Sequence, residues 1–130
     1  MTIADYFDSI SETLAYVQPL SALVDSSVRF DRRPAEQGFV TGELLFQNGS
    51  ALYFREFVDF SDGLHERLAY SFHYQDKNQN LICRYDNAAH RPPLPAREHK
   101  HLSDGSIRPA PPPSLLDAIL EILKLENWLE

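Results

Sequence analysis

Three histidines lie close together in one stretch of the chain, at His90, His99 and His101. They are three of the five histidines in a sequence of 130 residues. Imidazole titrates near neutral pH, so grouped histidines can give and take protons within one reaction. Cleavage of an RNA phosphodiester needs both actions, because a base removes the proton of the ribose 2′-hydroxyl and an acid protonates the leaving oxygen. The residue types therefore predict that His99 or His101 acts as base and acid.

Charged residues beside these histidines complete the predicted site. Arg84 and Lys100 can stabilise the negative charge that develops on the phosphorus oxygens during cleavage. Asp86 and His90 can orient the catalytic histidines. This route needs no metal ion, and we predict no metal or other cofactor.

A metal site is an alternative interpretation of the same residues. Alternate residues of an extended segment point the same way, so His99 and His101 can chelate an ion with His90 or Asp86 as a third ligand. The chain has no HExxH motif, and Cys83 is its only cysteine, which argues against a site built on a cysteine pair. The remaining interpretation is structural, with loop histidines that are solvated or bonded to the backbone.

Glu56 is a candidate for a different reason, its position on an apolar strand face. Phe54 and Val58 share that face under a two-residue period, so the carboxylate is predicted to point into the core. Burial raises the pKa of a carboxyl group or requires a cationic partner, and both are common at functional sites. The alternatives are a bulge that returns Glu56 to solvent and a structural ion pair with Arg84.

The composition limits the classes of protein to which the chain can belong. Its net charge is −7, but residues 84–108 carry +2 and the remainder carries −9. An acidic surface opposes loose binding to nucleic acid, whereas a local basic site can engage one or two phosphates. No apolar run reaches the roughly 18 residues of a membrane span, and the first ten residues lack the basic charge of a secretory signal. A single cysteine fits a reducing compartment, so we predict a cytoplasmic protein with no membrane partner.

Hydrophobic periodicity predicts the elements that position these residues. From Ile3 to Val17, apolar residues recur at steps of three and four, which places them on one face of a helix. Thr2 and Asp5 form a predicted capping box at its start. We expect a helical segment over residues 1–24.

A period of two over residues 26–86 predicts an antiparallel meander of four to five strands. The clearest turn is at Asn48 and Gly49, which favour the positive φ angles of a two-residue hairpin. Consecutive strands are expected to pair as neighbours. The last predicted strand, residues 81–86, ends just before the histidines.

Proline interrupts this pattern beyond the sheet. Residues 87–113 are predicted to form an extended Pro- and His-rich loop, because proline lacks the amide donor of a strand ladder. A loop of more than about 20 residues is commonly functional. Residues 114–129 then predict a helix, capped by Ser114 and Asp117, with a wide apolar face that packs on the sheet. The elements together predict a single α+β domain over residues 1–130.

Several short runs of the chain resemble a known protein family. The TumE-type toxins of prokaryotic toxin–antitoxin pairs are similar to this sequence in the runs Phe72–Asp76, Leu81–Ala88 and His99–His101, and at His90. The resemblance covers roughly residues 38–125. It implies a small toxin that a cognate antitoxin protein neutralises. A small sheet flanked by helices is, by analogy of fold, similar to the metal-independent ribonuclease toxins.

The combined prediction is a toxin that acts as a metal-independent RNA endonuclease, with RNA as substrate and an antitoxin as partner. Two alternatives remain open. One is a non-catalytic, protein-binding regulator of a toxin–antitoxin-like system, and the other is a metal-dependent hydrolase that uses the histidines. The apolar C-terminal helix leaves surface for a partner and is consistent with a homodimer.

Overall fold

The computed structural model describes residues 1–63, 65–90, 94 and 96–129. In this part of the chain, two α-helices and one turn of 3₁₀ helix at Ser61–Gly63 accompany one antiparallel sheet of seven strands. The main elements are α1 (Ile3–Val17), β1 (Leu23–Arg33), β2 (Gln37–Phe46), β3 (Ala51–Asp59), β4 (Glu66–Gln75), β5 (Leu81–Asp86), β6 (His99–Leu102), β7 (Ile107–Pro109) and α2 (Leu115–Leu125).

The strands lie in the sheet in the order of the sequence, so each pairs with the next. The predicted pairing of four consecutive strands is confirmed for β2 to β5. A turn is present at Asn48 and Gly49, with Gly49 at a φ of 84° and the Asn48 side chain accepting a hydrogen bond from the backbone of Ser50, but it is not the predicted two-residue hairpin. Asn48 does not have a positive φ, and the last pair of the ladder is Leu45 with Ala51. The α+β class is confirmed, but the structure has seven strands where the sequence predicts four to five.

Strands β6 and β7 were not predicted, and β1 begins earlier than residue 26, where the sheet was expected to start. Helix α1 ends at Val17 and β1 begins at Leu23, so the predicted helical segment over residues 1–24 is too long. The predicted loop over residues 87–113 contains the β6–β7 hairpin. Strand β6 has only four residues and β7 three, and Pro109 is tolerated at the end of the sheet-edge strand β7. Within this loop, the predicted stiff segment at residues 91–93 and 95 lies outside the described residues.

The two helices share one hydrophobic core with one face of the sheet. Both begin with the predicted capping boxes, Thr2 with Asp5 and Ser114 with Asp117. Apolar side chains at alternate strand positions pack against the buried faces of the helices, as the two-residue period requires. Neither helix in the described residues has the length and apolar character needed to cross a lipid bilayer. The core includes Ile10, Leu14, Val40, Leu44, Phe54, Phe72, Ile119 and Leu123.

The other side of the sheet, which we call the open face, carries the polar members of the same strands. Because both helices pack on the opposite side, Thr41, Tyr53 and Arg55 remain exposed there. Strand pairing aligns the open-face residues of neighbouring strands in rows that cross the sheet. Arg55 lies opposite Ser71, and Ser71 lies opposite Asp86. The open face therefore reaches from the middle of the sheet to the strands that carry the predicted site.

Candidate active site

Strand pairing brings together residues that are far apart in the sequence. The register of β5 and β6 places Asp86 opposite His99 and Arg84 opposite His101. Residues two apart on a strand point to the same face, so all four side chains lie on the open face. His90 follows β5 by four residues, and its Nε2 returns to 3.1 Å from Nε2 of His99.

Asp86, His90, His99 and His101 form a compact group that we call the histidine cluster. Nε2 of His99 lies 2.6 Å from Oδ1 of Asp86, and Nε2 of His101 lies 3.5 Å from Oδ2. One nitrogen or oxygen from each of the four side chains lies within 4.8 Å of the other three. Asp86 and His99 are buried, whereas His90 and His101 are partly exposed. The cluster therefore has a buried floor and a side that faces solvent.

Asp86 is held as a carboxylate at the base of the cluster. Burial alone raises the pKa of this carboxyl group, but two hydrogen bonds and the charge of His99 outweigh it and lower the pKa below its ordinary value. Arg84 Nε donates to Oδ2 over 2.7 Å, and the Ala88 amide donates to Oδ1 over 3.2 Å. Asp86 is therefore ionised and fixed in orientation at neutral pH.

The tautomer of His99 follows from its backbone contact. Its Nδ1 lies 2.8 Å from the carbonyl oxygen of Arg97, which can only accept a hydrogen bond. Nδ1 therefore carries a proton, and Nε2 is the atom that faces Asp86 and His90. His101 differs because burial lowers its pKa, and the neighbouring imidazoles and Arg84 act in the same direction against the attraction of Asp86. His101 is consequently neutral at pH 7 and offers a lone pair.

Arg84 connects the cluster to the rest of the open face. Its Nη1 lies 3.3 Å from Nδ1 of His73, the residue opposite it on β4. Burial and the Arg84 charge lower the pKa of His73, so this side chain is also neutral at pH 7. Arg84 therefore contacts the neutral imidazole of His73, which lies opposite it on β4, and the carboxylate of Asp86, two residues further along β5.

A groove of about 560 Å³ extends from Asp86 across the open face. Arg55, Arg84 and Arg97 line it, which gives a positive surface on a chain of negative total charge. Phe39 and Phe57 form one wall, with ring centroids 4.6 Å apart in a stacked arrangement. The groove offers cations and aromatic surface beside the histidine cluster.

Lys100, predicted to bind phosphate, lies on the opposite side of the sheet. Adjacent residues of a strand alternate between faces, so Lys100 points away from the faces of His99 and His101. Its ammonium lies 2.7 Å from Oε1 of Glu121 on α2 and 4.9 Å from the ring centre of Tyr85. The structure therefore does not bring Lys100 to the cluster, and Arg84 is the predicted phosphate ligand that lies there.

Glu56 is buried in the core, as its position on an apolar face predicts, but its partner is not Arg84. Arg67 Nη1 donates to Oε2 over 2.6 Å, and the Tyr6 hydroxyl donates to Oε1. A bulge in the β3–β4 pairing, between Phe57 and Val58, turns Arg67 toward this face. No feature of the sequence indicates that bulge, so the Glu56–Arg67 pair was not predicted. The pair lies on the helix side of the sheet, away from the histidine cluster.

Comparison with known proteins identifies the family of the chain. The model of the toxin TumE family matches residues 11–129, nearly the whole sequence. The chain belongs to the TumE toxin family. No curated protein and no solved structure matches it significantly. The family resemblance in the sequence is thereby confirmed and extends further than residues 38–125, and the protein is the toxin component of a toxin–antitoxin system.

Proposed function

We propose that this toxin is an RNA endonuclease and that it cleaves at the histidine cluster. The observation that carries the proposal is the meeting of three imidazoles and one carboxylate at the end of an arginine-lined groove. Arg84 lies beside the cluster, where it can bind a phosphate that enters the groove. Membership of a toxin family supports the biological role, and the residue types at the site support the proposed reaction.

The groove supports single-stranded RNA as the substrate. Unpaired bases bind proteins by stacking on aromatic side chains while arginines contact the phosphates. Phe39 and Tyr53 are large apolar residues exposed on the open face, and Arg55 lies in the sheet between Thr41 and Ser71. Ser71 in turn lies opposite Asp86. Because RNA is the proposed substrate, we propose that the toxin acts in the cytoplasm.

Two chemical routes fit this geometry. The sequence predicts a metal-free route with His99 or His101 as base and acid, and the geometry leads us to propose His90 as the acid. Neutral His101 accepts the proton of the 2′-hydroxyl, the 2′-oxygen bonds to phosphorus, and the bond to the 5′-oxygen breaks as His90 protonates it. His99 is buried and bonded to Arg97, so it orients its neighbours in this route. The second candidate is a metal-dependent phosphodiesterase, and the convergence of four potential ligand atoms within 4.8 Å favours it.

The proposal is tested with purified toxin, freed of its antitoxin, and a defined single-stranded RNA. We expect cleavage by the native protein and a loss of about 10²–10⁴-fold in rate for His101→Gln, whether that residue acts as a base or as a ligand. His65→Gln is the matched control, because His65 is an exposed histidine outside the cluster. The proposal is wrong if native toxin leaves RNA intact at concentrations that stop growth.

The antitoxin is the partner that family membership indicates. Helix α2 leaves Leu120 and Leu125 exposed, whereas Leu123 is buried in the core. We propose that the exposed leucines contribute to a protein interface, either with the antitoxin or with a second copy as the sequence predicts. Leu120→Glu tests this by size-exclusion chromatography with and without antitoxin. If the variant still forms the complex with antitoxin, and if its elution volume without antitoxin equals that of the native toxin, then Leu120 belongs to neither interface.

A further inference from the structure

The contacts of His99 converge on the centre of the histidine cluster. Its Nδ1 donates a hydrogen bond to the Arg97 carbonyl oxygen, which leaves Nε2 only 2.6 Å from a carboxylate oxygen of Asp86. Two lone pairs at that distance repel each other. A second proton on His99 relieves the contact with Asp86, but Nε2 of His90 also lies 3.1 Å away. One metal ion satisfies every one of these contacts at once.

The spacing of the four ligand atoms fits such an ion. A tetrahedral zinc ion with bonds of about 2.0–2.1 Å separates its ligands by roughly 3.3 Å. The cluster gives separations of 2.6 Å between Asp86 and His99, 3.1 Å between His90 and His99, and 3.5 Å between Asp86 and His101. These distances bracket the tetrahedral value. The remaining pairs of ligand atoms lie within 4.8 Å, so the partly exposed His90 and His101 side chains must move inward to bring all four ligands to bonding distance.

The groups around the cluster also have the arrangement found at metal sites. A histidine that binds a metal through one nitrogen usually donates its other N–H to a carbonyl or carboxylate, which fixes the ring. His99 does this with the Arg97 carbonyl oxygen. The Asp86 carboxylate is oriented in the same way by Arg84 and by the amide of Ala88. Asp86 and His99, two of the four ligands, are thus held in position by hydrogen bonds to groups outside the histidine cluster.

We propose that Asp86, His90, His99 and His101 bind one divalent transition-metal ion, with zinc the ion that this set fits best. Three imidazole nitrogens and one carboxylate suit zinc, iron, copper or nickel, whereas magnesium prefers six oxygen ligands. The inference deepens the proposed function by naming the cofactor of the same site, and it replaces the metal-free route predicted from the sequence. His90 and His101 are partly exposed and Asp86 lines the groove, so the ion would lie beside the groove and within reach of solvent. A phosphate oxygen would enter as a fifth ligand, and the ion would then act on it as a Lewis acid.

The experiment measures metal binding directly and does not depend on activity. Full-length toxin is stripped with a chelator, dialysed and titrated with zinc and separately with magnesium by calorimetry. We expect one zinc ion per chain, a rise in Tm on zinc addition, and no comparable response to magnesium. Metal analysis of protein purified without chelator gives the ion carried from cells.

The variants are chosen so that folding does not obscure the result. His90→Gln and His101→Gln replace partly exposed ligands, and each should weaken zinc binding by more than 100-fold. Arg84→Lys keeps all four ligands but disturbs the orientation of Asp86, and it should weaken zinc binding by about 10–100-fold. His65→Gln should bind zinc as the native chain does. Circular dichroism confirms that each variant is folded before titration.

The outcomes separate this inference from the proposed function. Zinc binding that is absent, or that is equal in the native chain and in a folded His90→Gln His101→Gln double variant, overturns the metal site. Zinc bound at the cluster of a toxin that leaves RNA intact supports the metal site and refutes the proposed RNA cleavage. RNA cleavage by a stripped toxin that binds no zinc refutes the metal site and supports the metal-free route.

Discussion

Asp86 and His99 face each other across strands β5 and β6, with 2.6 Å between Oδ1 and Nε2 and no more than 3% of either residue exposed. This contact joins the end of the predicted meander to a strand of only four residues. It therefore serves the fold as well as the site, because it fixes the register of the last hairpin against the rest of the sheet.

We predict that Asp86→Asn destabilises the toxin even when no metal is present. The substitution keeps the shape of the side chain but removes the charge that pairs with Arg84 and His99, and removal of one partner of a buried pair costs about 3–5 kcal/mol. Urea denaturation in the presence of a chelator measures the change in the free energy of unfolding. A change below about 1 kcal/mol would show that the carboxylate charge contributes little to the fold.

A second prediction concerns the open face. Arg55→Gln removes a cation of the groove without touching the histidine cluster, so we expect a higher KM for single-stranded RNA and little change in kcat. The affinity of the variant for RNA should also depend less on salt, with the slope of log affinity against log salt concentration reduced by about 1. Filter binding at several salt concentrations measures this. Lys124→Gln on α2 is the matched control, and an equal effect from both variants would contradict a specific role for Arg55.

The buried pair of Glu56 and Arg67 is predicted to stabilise the fold without taking part in catalysis. Glu56→Leu alone leaves the Arg67 cation without its partner and should cost about 3–5 kcal/mol of stability. The double variant Glu56→Leu Arg67→Met should recover most of that loss, because a well-packed apolar pair can replace a buried ion pair. Thermal unfolding and specific activity are compared for the three proteins. Loss of activity in a stable double variant would instead give Glu56 a catalytic role.

The pH dependence of stability should carry a contribution from His73. Its pKa in the folded chain is lowered from 6.5, first by burial and then by Arg84, so the unfolded chain takes up the proton at higher pH than the folded chain. The contribution is therefore complete above pH 6.5 and is lost as the pH falls through the lower folded-state value. Unfolding free energies of native toxin and His73→Gln, measured from pH 5 to 8 with chelator, should converge or cross toward acid. Parallel curves would contradict the shift.

The sequence predicts the centre of the sheet better than its edges. Strands β2 to β5 have long apolar alternation, and Asn48 and Gly49 mark the position of the turn between β2 and β3. Strand β6 has too few residues to show a period, so the pairing of Asp86 with His99 could not be predicted. The bulge that turns Arg67 toward Glu56 has no sequence signal either.

The candidate site was predicted by residue type, and its geometry required the strand pairing. His90, His99 and His101 are near one another in the chain, so their grouping follows from the sequence. Lys100 lies between two of them in the sequence but on the other side of the sheet in space, because neighbours on a strand alternate. Proximity in the sequence therefore predicts the grouping of the three histidines, but it wrongly places Lys100 beside them.

The position of the β6–β7 hairpin has a consequence for the synthesis of the toxin. Strands β1 to β5 leave the ribosome first and already contain every open-face arginine of the sheet from Arg29 to Arg84, but only one member of the histidine cluster within a strand. His99 and His101 emerge later and reach Asp86 only when β6 pairs with β5. A chain that ends before β6 thus carries Arg55 and Arg84 of the groove but lacks the complete histidine cluster at which we propose RNA cleavage. The proposed cleavage site is therefore assembled only after β6 has been synthesised and has paired with β5.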